Sequence, residues 1–149
     1  MNSGLHFKLC TNDDEKGLVY EIICKNRQSH GYPLRMSWQQ VFDTTRIIKS
    51  DFFIVHDKLE NPIASAIVFH IAKNIVQVIY WGDIHEYSNL KTMNFLSFSV
   101  FEHYKKQGIL TVDLGPSTEN SAPNYGLAEF KESIGCMINP KYTFTKILY

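Results

Sequence analysis

At 149 residues the chain has the length of one domain with a full-size core, and 44% hydrophobic against 20% charged residues makes it globular rather than disordered. Lys+Arg 15 balance Asp+Glu 15, a formal net charge of +0, which excludes a protein whose affinity rests on neutralising nucleic-acid phosphates in bulk. Cys10, Cys24 and Cys136 are odd in number and lack a CxxC spacing, so neither a disulfide scaffold nor a Cys-rich zinc site fits, and free thiols in a reducing compartment are expected.

The first strand is marked by Leu5, Phe7 and Leu9 alternating with His6 and Lys8. Thr11-Asn12-Asp13-Asp14 then offers a helix N-cap, with acids placed at the positive helix end. Leu18, Val19, Ile22 and Ile23 follow at helical spacing, and the helix should fade by His30-Gly31. A second helix opens on Ser37 and Gln40, a capping box with Met36 stapled onto Val41, and its inner stripe is Trp38, Val41, Phe42 and Thr45.

Three strands come next, 51–56, 62–70 and 74–82, joined by linkers short enough for an antiparallel meander. The middle one, Ile63 to His70, is apolar or small on both faces, as in a strand covered on both sides. A long helix is predicted from Ser88 or Asn89 to Gln107, with Gly108 as its left-handed stop. Residues 109–114 make a strand parallel to its predecessor, because a helix joins the two. Gly115–Asn124 reads as a polar loop. Leu127, Phe130 and Ile134 mark a short helix ending at Gly135, and Tyr142 to Ile147 alternate as a last strand. The expectation is therefore a single α/β domain over 1–149, order β-α-α-β-β-β-α-β-α-β, with a mixed, mainly antiparallel sheet between helices.

No apolar stretch reaches the ~18 residues of a membrane span, and the first residues show no cationic run followed by a long apolar one. A cytoplasmic protein is the expectation. The six histidines show no H-x-x-x-H or H-E-x-x-H spacing, so no metal site is predicted.

Several segments, in order, carry a family likeness: Ile63-Ala64-Ser65-Ala66; Tyr80-Trp81-Gly82; the helix ending Lys106-Gln107-Gly108; Val112-Asp113-Leu114-Gly115; and Gly126 to Gly135 with its Phe130-Lys131 pair. The chain resembles the GNAT (acyl-CoA N-acyltransferase) fold superfamily, and within it the Fem-type branch of peptidoglycan-bridge aminoacyltransferases. The likeness spans roughly residues 50–136, while the first third shares only the element order. Where CoA-using relatives carry a Q/R-x-x-G-x-G/A turn, this chain reads Gly82-Asp83-Ile84-His85-Glu86-Tyr87-Ser88-Asn89, with one glycine and two acids. The larger Fem-type enzymes join two such domains into one groove, and a homodimer of this chain would set two clefts side by side.

The resemblance implies a GNAT-like three-layer α/β/α domain that moves an acyl or aminoacyl group from acyl-CoA or aminoacyl-tRNA to the amine of a small molecule or peptide. The alternative is a non-catalytic module of the same fold, which the missing glycine turn favours. In the fold, two parallel strands splay apart and open a strand-end cleft, here beyond Tyr80-Trp81-Gly82 and Asp113-Leu114-Gly115. Lys131 is the first catalytic candidate, an ammonium for a phosphate or oxyanion, and the resemblance assigns that role to the Phe130-Lys131 pair; the competing reading is a solvated lysine. Asp113 is a candidate to orient the amine or take its proton, or else it caps the loop that follows. His85 and Glu86 are candidate bases at the cleft mouth, or simply exposed loop residues. Trp81, Gly82, Ser88, Asn89 and Lys91 are candidates for the acyl carrier, with Ser88 and Asn89 also able to serve only as helix caps. Tyr80, Gly115, Tyr125 and Phe130 are candidates for the acceptor pocket, although sheet aromatics are commonly core.

Overall fold

The computed structural model describes residues 4–31, 33–119, 122–142 and 144–147. The chain forms two compact units, Met1–Leu114 and Gly115–Tyr149.

The first unit is a five-stranded sheet in the order β1-β2-β3-β4-β5, built from β1 (His6–Cys10), β2 (Ser50–His56), β3 (Pro62–Ala72), β4 (Ile75–Asp83) and β5 (Thr111–Asp113). Pairings are antiparallel up to β3·β4, and β4·β5 is parallel. Helices α1 (Asp13–Ser29) and α2 (Trp38–Thr45) supply one face and α3 (Thr92–Lys106) the other. The alternation within β2 and β3 sets this up. Phe52, Ile54, Ile67 and Phe69 meet Val19, Ile22 and Ile23 of α1 and Val41 of α2. Phe53, Val55, Ala64, Ala66 and Val68 meet Leu96, Val100 and Tyr104 of α3. A strand buried on both sides needs apolar or small residues at every position, and β3 has them. Its Ser65 hydroxyl is satisfied by donating to the Val19 carbonyl at 2.8 Å.

The caps follow the local chemistry. Within the predicted Thr11–Asp14 stretch it is Asn12 that caps α1, its Oδ1 accepting from the Glu15 amide at 2.9 Å. Both halves of the Ser37/Gln40 capping box form on α2. At the far end of α3, the buried Tyr104 hydroxyl donates to Asp51 Oδ2 at 2.8 Å, and His70 Nε2 lies 2.7 Å from the same oxygen. Burial, reinforced by the Asp51 carboxylate, pushes the Tyr104 phenol far above its usual range.

Three expectations need correction. Helix α3 begins at Thr92, not at Ser88 or Asn89, because His85–Leu90 wind as a 3-10 turn and Lys91 adopts a left-handed conformation (φ 52) that no right-handed helix can include. The segment 115–124 is not only loop: in the second unit β6 (Thr118–Glu119) and β7 (Ala122–Pro123) pair as a minimal hairpin before α4 (Tyr125–Ser133). The last strand does not form among the described residues, and Thr143 lies outside them; Tyr142, Phe144 and Ile147 are 78%, 92% and 71% exposed, so the alternation there has no buried face to fill. Among the described residues no helix is long and apolar enough to cross a membrane.

Candidate functional site

The inner stripe of α1 runs Val19, Ile22, Ile23 and then meets Asn26, a polar residue at a core-facing position. Its amide explains the exception. Asn26 Nδ2 donates to the Asp83 main-chain carbonyl at 2.9 Å and lies 3.4 Å from Asp83 Oδ1. Thr92 Oγ1, at the start of α3, donates to Asp83 Oδ2. Gly82 makes the approach feasible, since a Cβ there would stand 2.5 Å from Asn26 Cγ. Asp83 therefore joins α1, the end of β4 and the first residue of α3.

Around this joint opens a cleft of about 530 Å³. One wall is α1, with Lys25, Asn26, Ser29 and His30; the other is the end of β4 and its turn, with Asp83, Ile84, His85 and Glu86. The last turn of α1 satisfies itself: Ser29 Oγ donates to the Asn26 carbonyl at 2.8 Å, and His30 Nδ1 lies 2.7 Å from it. Among the described residues, Lys25, His85 and Glu86 form no hydrogen bond or ion pair through their side chains.

The parallel pairing of β4 and β5 is short. β4 and β5 pair only through Ile75↔Thr111, Val76↔Val112 and Gln77↔Asp113. From there β4 runs on to Asp83 with no strand beside it on that edge among the described residues. At ~3.3 Å per residue, the part of β4 beyond that pairing is about 20 Å long. The β3·β4 register also slips between Ile67 and Val68, leaving Ile79 as a bulged residue, and both Ile79 and Tyr80 pack with the α1-side core. Trp81 packs with the α3-side core.

His85 and Glu86 are thus brought together with Asp83 at the cleft. Ser88 and Asn89 lie in the 3-10 turn and Lys91 is its left-handed exit, so none of the three stands in a first helical turn. Asp113 stands at the last rung of the β4·β5 pair, where its Oδ2 accepts from Gln77 Nε2 at 3.1 Å; it is not beside His85 and Glu86. In the second unit, Lys131 is the buried residue of α4 (6% exposed), and its Nζ donates to the Gly115 and Pro116 carbonyls, each at 3.0 Å. Burial raises the Cys136 thiol above its usual value, with the Lys131 ammonium acting against it. Tyr125 is exposed and Phe130 half-buried. Sequence reading missed the α1 wall and Thr92; the polar residue at position 26 of an apolar stripe was the available signal. Among the described residues no group of three or more His, Cys, Asp or Glu could hold a metal ion.

No protein-family model matches the sequence. No curated protein matches it either. Solved structures do. An aminoglycoside 6'-N-acetyltransferase from Acinetobacter baumannii aligns with TM-score 0.68 at 8% identity, covering 98% of this chain and 99% of that one. An aminoglycoside acetyltransferase from an uncultured soil metagenomic sample, in complex with trehalose, gives 0.69 at 9% identity over 99% and 98%. A GNAT family acetyltransferase from Elizabethkingia anophelis with acetyl-CoA bound gives 0.67 at 10% identity over 92% and 78%. At such identities the likeness is one of architecture, and the architecture of this chain is the GNAT fold.

Proposed function

We propose that the chain is an N-acyltransferase that moves an acyl group from acyl-CoA to a primary amine. The observation that carries this reading is that β4 runs on past its short pairing with β5 and ends at a cleft lined by His85 and Glu86. The chain fits an acyl-CoA in two respects. Beyond Gln77, the edge of β4 that faces away from β3 has the geometry for main-chain hydrogen bonding to an extended amide-bearing arm. At the start of α3, whose cap makes no side-chain hydrogen bond, Lys91 and the positive helix end favour a phosphate. When bound, the donor supplies a thioester: the C–N bond forms, the C–S bond breaks, and the sulfur leaves with the electron pair and a proton.

The protein's own groups do the rest. His85 and Glu86, unengaged by other side chains, are placed to take the proton an ammonium must lose before it can attack. Asn26 and Thr92 hold Asp83 and hence the end of β4, fixing the geometry of attack. Asp113 ends the β4·β5 pairing, and Lys131 enters as the side chain that shapes the Gly115–Pro116 turn. The finer kinship with the Fem-type branch, supported by Ile63–Ala66, Tyr80–Gly82 and Gly126–Gly135, brings aminoacyl-tRNA as a second donor. Two of the fold neighbours are named for aminoglycosides and one holds acetyl-CoA, which supports a small-molecule amine acceptor and a CoA donor.

Thermal-shift titration with acetyl-CoA, a longer acyl-CoA and CoA tests this. At a hundredfold excess over the dissociation constant, a ligand that binds only the folded state adds about 2.7 kcal/mol and raises the melting point by roughly 5–10 °C. No rise with any of the three at millimolar concentration would remove the CoA-dependent reading in favour of the non-catalytic module.

A further inference from the structure

We infer that the cleft takes a small zwitterion, a primary amine carrying an anionic group, as its ligand, and that Lys25 recognises the anion. As an assignment of the acceptor's class it rests on the acyl-transfer reading. The two walls differ in sign. The β4 wall carries the carboxylates of Asp83 and Glu86, whereas the α1 wall carries Lys25 and the hydroxyl of Ser29. Neither Lys25 nor Glu86 is neutralised by a partner among the described residues, although the chain pairs lysines readily elsewhere, as in Lys16–Asp13 and Lys105–Glu102. Opposite charges thus face one space of about 530 Å³, which accommodates a molecule of amino-acid size.

The negative end of α1 is the competing influence on that wall. It amounts to about half a charge and is confined to the last turn. Here the Asn26 carbonyl is already engaged by Ser29 Oγ and by the His30 main-chain amide. The full charge of Lys25 therefore sets the sign. A ligand amine goes to the Asp83–Glu86 side, where the chemistry requires it, and its anion goes to α1. A molecule with several amines and no anion would instead set a second cation against Lys25.

Equilibrium titration of the full chain, followed by the imidazole NMR signals of His30 and His85, tests this without any donor. The zwitterionic probes are the standard α-amino acids one at a time and O-phosphoethanolamine, which separate carboxylate from phosphate. The controls are the matching carboxamides and putrescine. The expected result is that at least one zwitterion shifts His85 and binds roughly tenfold more tightly than its control, the size of a charge-assisted hydrogen bond. Lys25→Glu, a change at an exposed position, should abolish that preference and favour putrescine. The inference is overturned if no zwitterion perturbs His85, if controls bind as tightly, or if Lys25→Glu leaves the preference unchanged. Binding of a zwitterion by a chain that neither binds nor turns over acetyl-CoA would sink the acyl-transfer reading and leave the ligand class standing.

Discussion

Gly82→Ala is the sharpest test of how the cleft is built. Alanine in a strand normally gains about 0.4–1 kcal/mol over glycine by restricting the unfolded chain. Here the added Cβ would stand 2.5 Å from Asn26 Cγ, 2.6 Å from Oδ1 and 2.7 Å from Cβ. Rotating the amide away relieves only the first two contacts, because Cβ is fixed to the helix, so α1 itself must shift. Overpacking of this kind costs roughly 1–3 kcal/mol, and losing the Asn26–Asp83 hydrogen bond adds about 1 kcal/mol. The net expectation is a loss of about 2–3 kcal/mol, a fall in melting point of roughly 5–10 °C. Asn26→Gly removes all three clashing atoms, whereas Asn26→Ala leaves the Cβ. In a double-mutant cycle, Gly82→Ala should therefore cost much less beside Asn26→Gly than beside Asn26→Ala. Strict additivity, or a stabilised Gly82→Ala single variant, would refute the packing argument and with it the claim that Asn26 fixes the end of β4.

Two further outcomes are expected. Burial pushes the Cys10 thiol up to about 11, so the unfolded chain ionises first as pH rises; the stability contributed by the neutral thiol is whole below pH ~9 and is lost progressively toward pH 11. Melts from pH 8 to 11 should show this fall, and Cys10→Ala should reduce its part below pH ~10, above which the buried Tyr104 phenol contributes a fall of the same sign. Lys131→Met should cost about 1–3 kcal/mol by stripping two carbonyls of their charged donor, read as lost hydrogen-exchange protection in α4, whereas a solvated lysine would cost under about 0.5 kcal/mol.

What was legible in the sequence was whatever depends on near neighbours or strict periodicity. Ile63 to Phe69 announced a strand buried on both faces, and Ser37 with Gln40 announced the start of α2. The start of α3 was misplaced for an equally local reason. Ser88 and Asn89 are good capping residues, but the turn closes at Lys91 in the left-handed region, and lysine carries no signal for that conformation. The alternation of Tyr142 to Ile147 shows the converse failure, since period two marks a strand only where a partner covers one face. His85 and Glu86 stand out in the sequence because they directly follow a predicted strand, but the cleft expected there is set against Asp113-Leu114-Gly115, whereas the one they line is closed by α1. That α1 wall depends on residue 26 meeting residue 83, a contact across 57 positions that no window along the chain contains.

That long-range contact also bears on the transfer reading proposed above. Transfer requires two reactants held at fixed spacing, and a displacement of about 1 Å can cost a hundredfold in rate. The walls here come from a helix near the start of the chain and a turn near its middle, elements that slide unless something joins them. Asp83 is that joint: its carbonyl is tied to α1 through Asn26 and its carboxylate to α3 through Thr92. Lys25, His85 and Glu86 also line the cleft, and their side chains make no hydrogen bond or ion pair among the described residues. Polar groups nearest the core are spent on rigidity, and those on the rim are kept for a ligand, a division expected where preorganisation is what the fold contributes to chemistry.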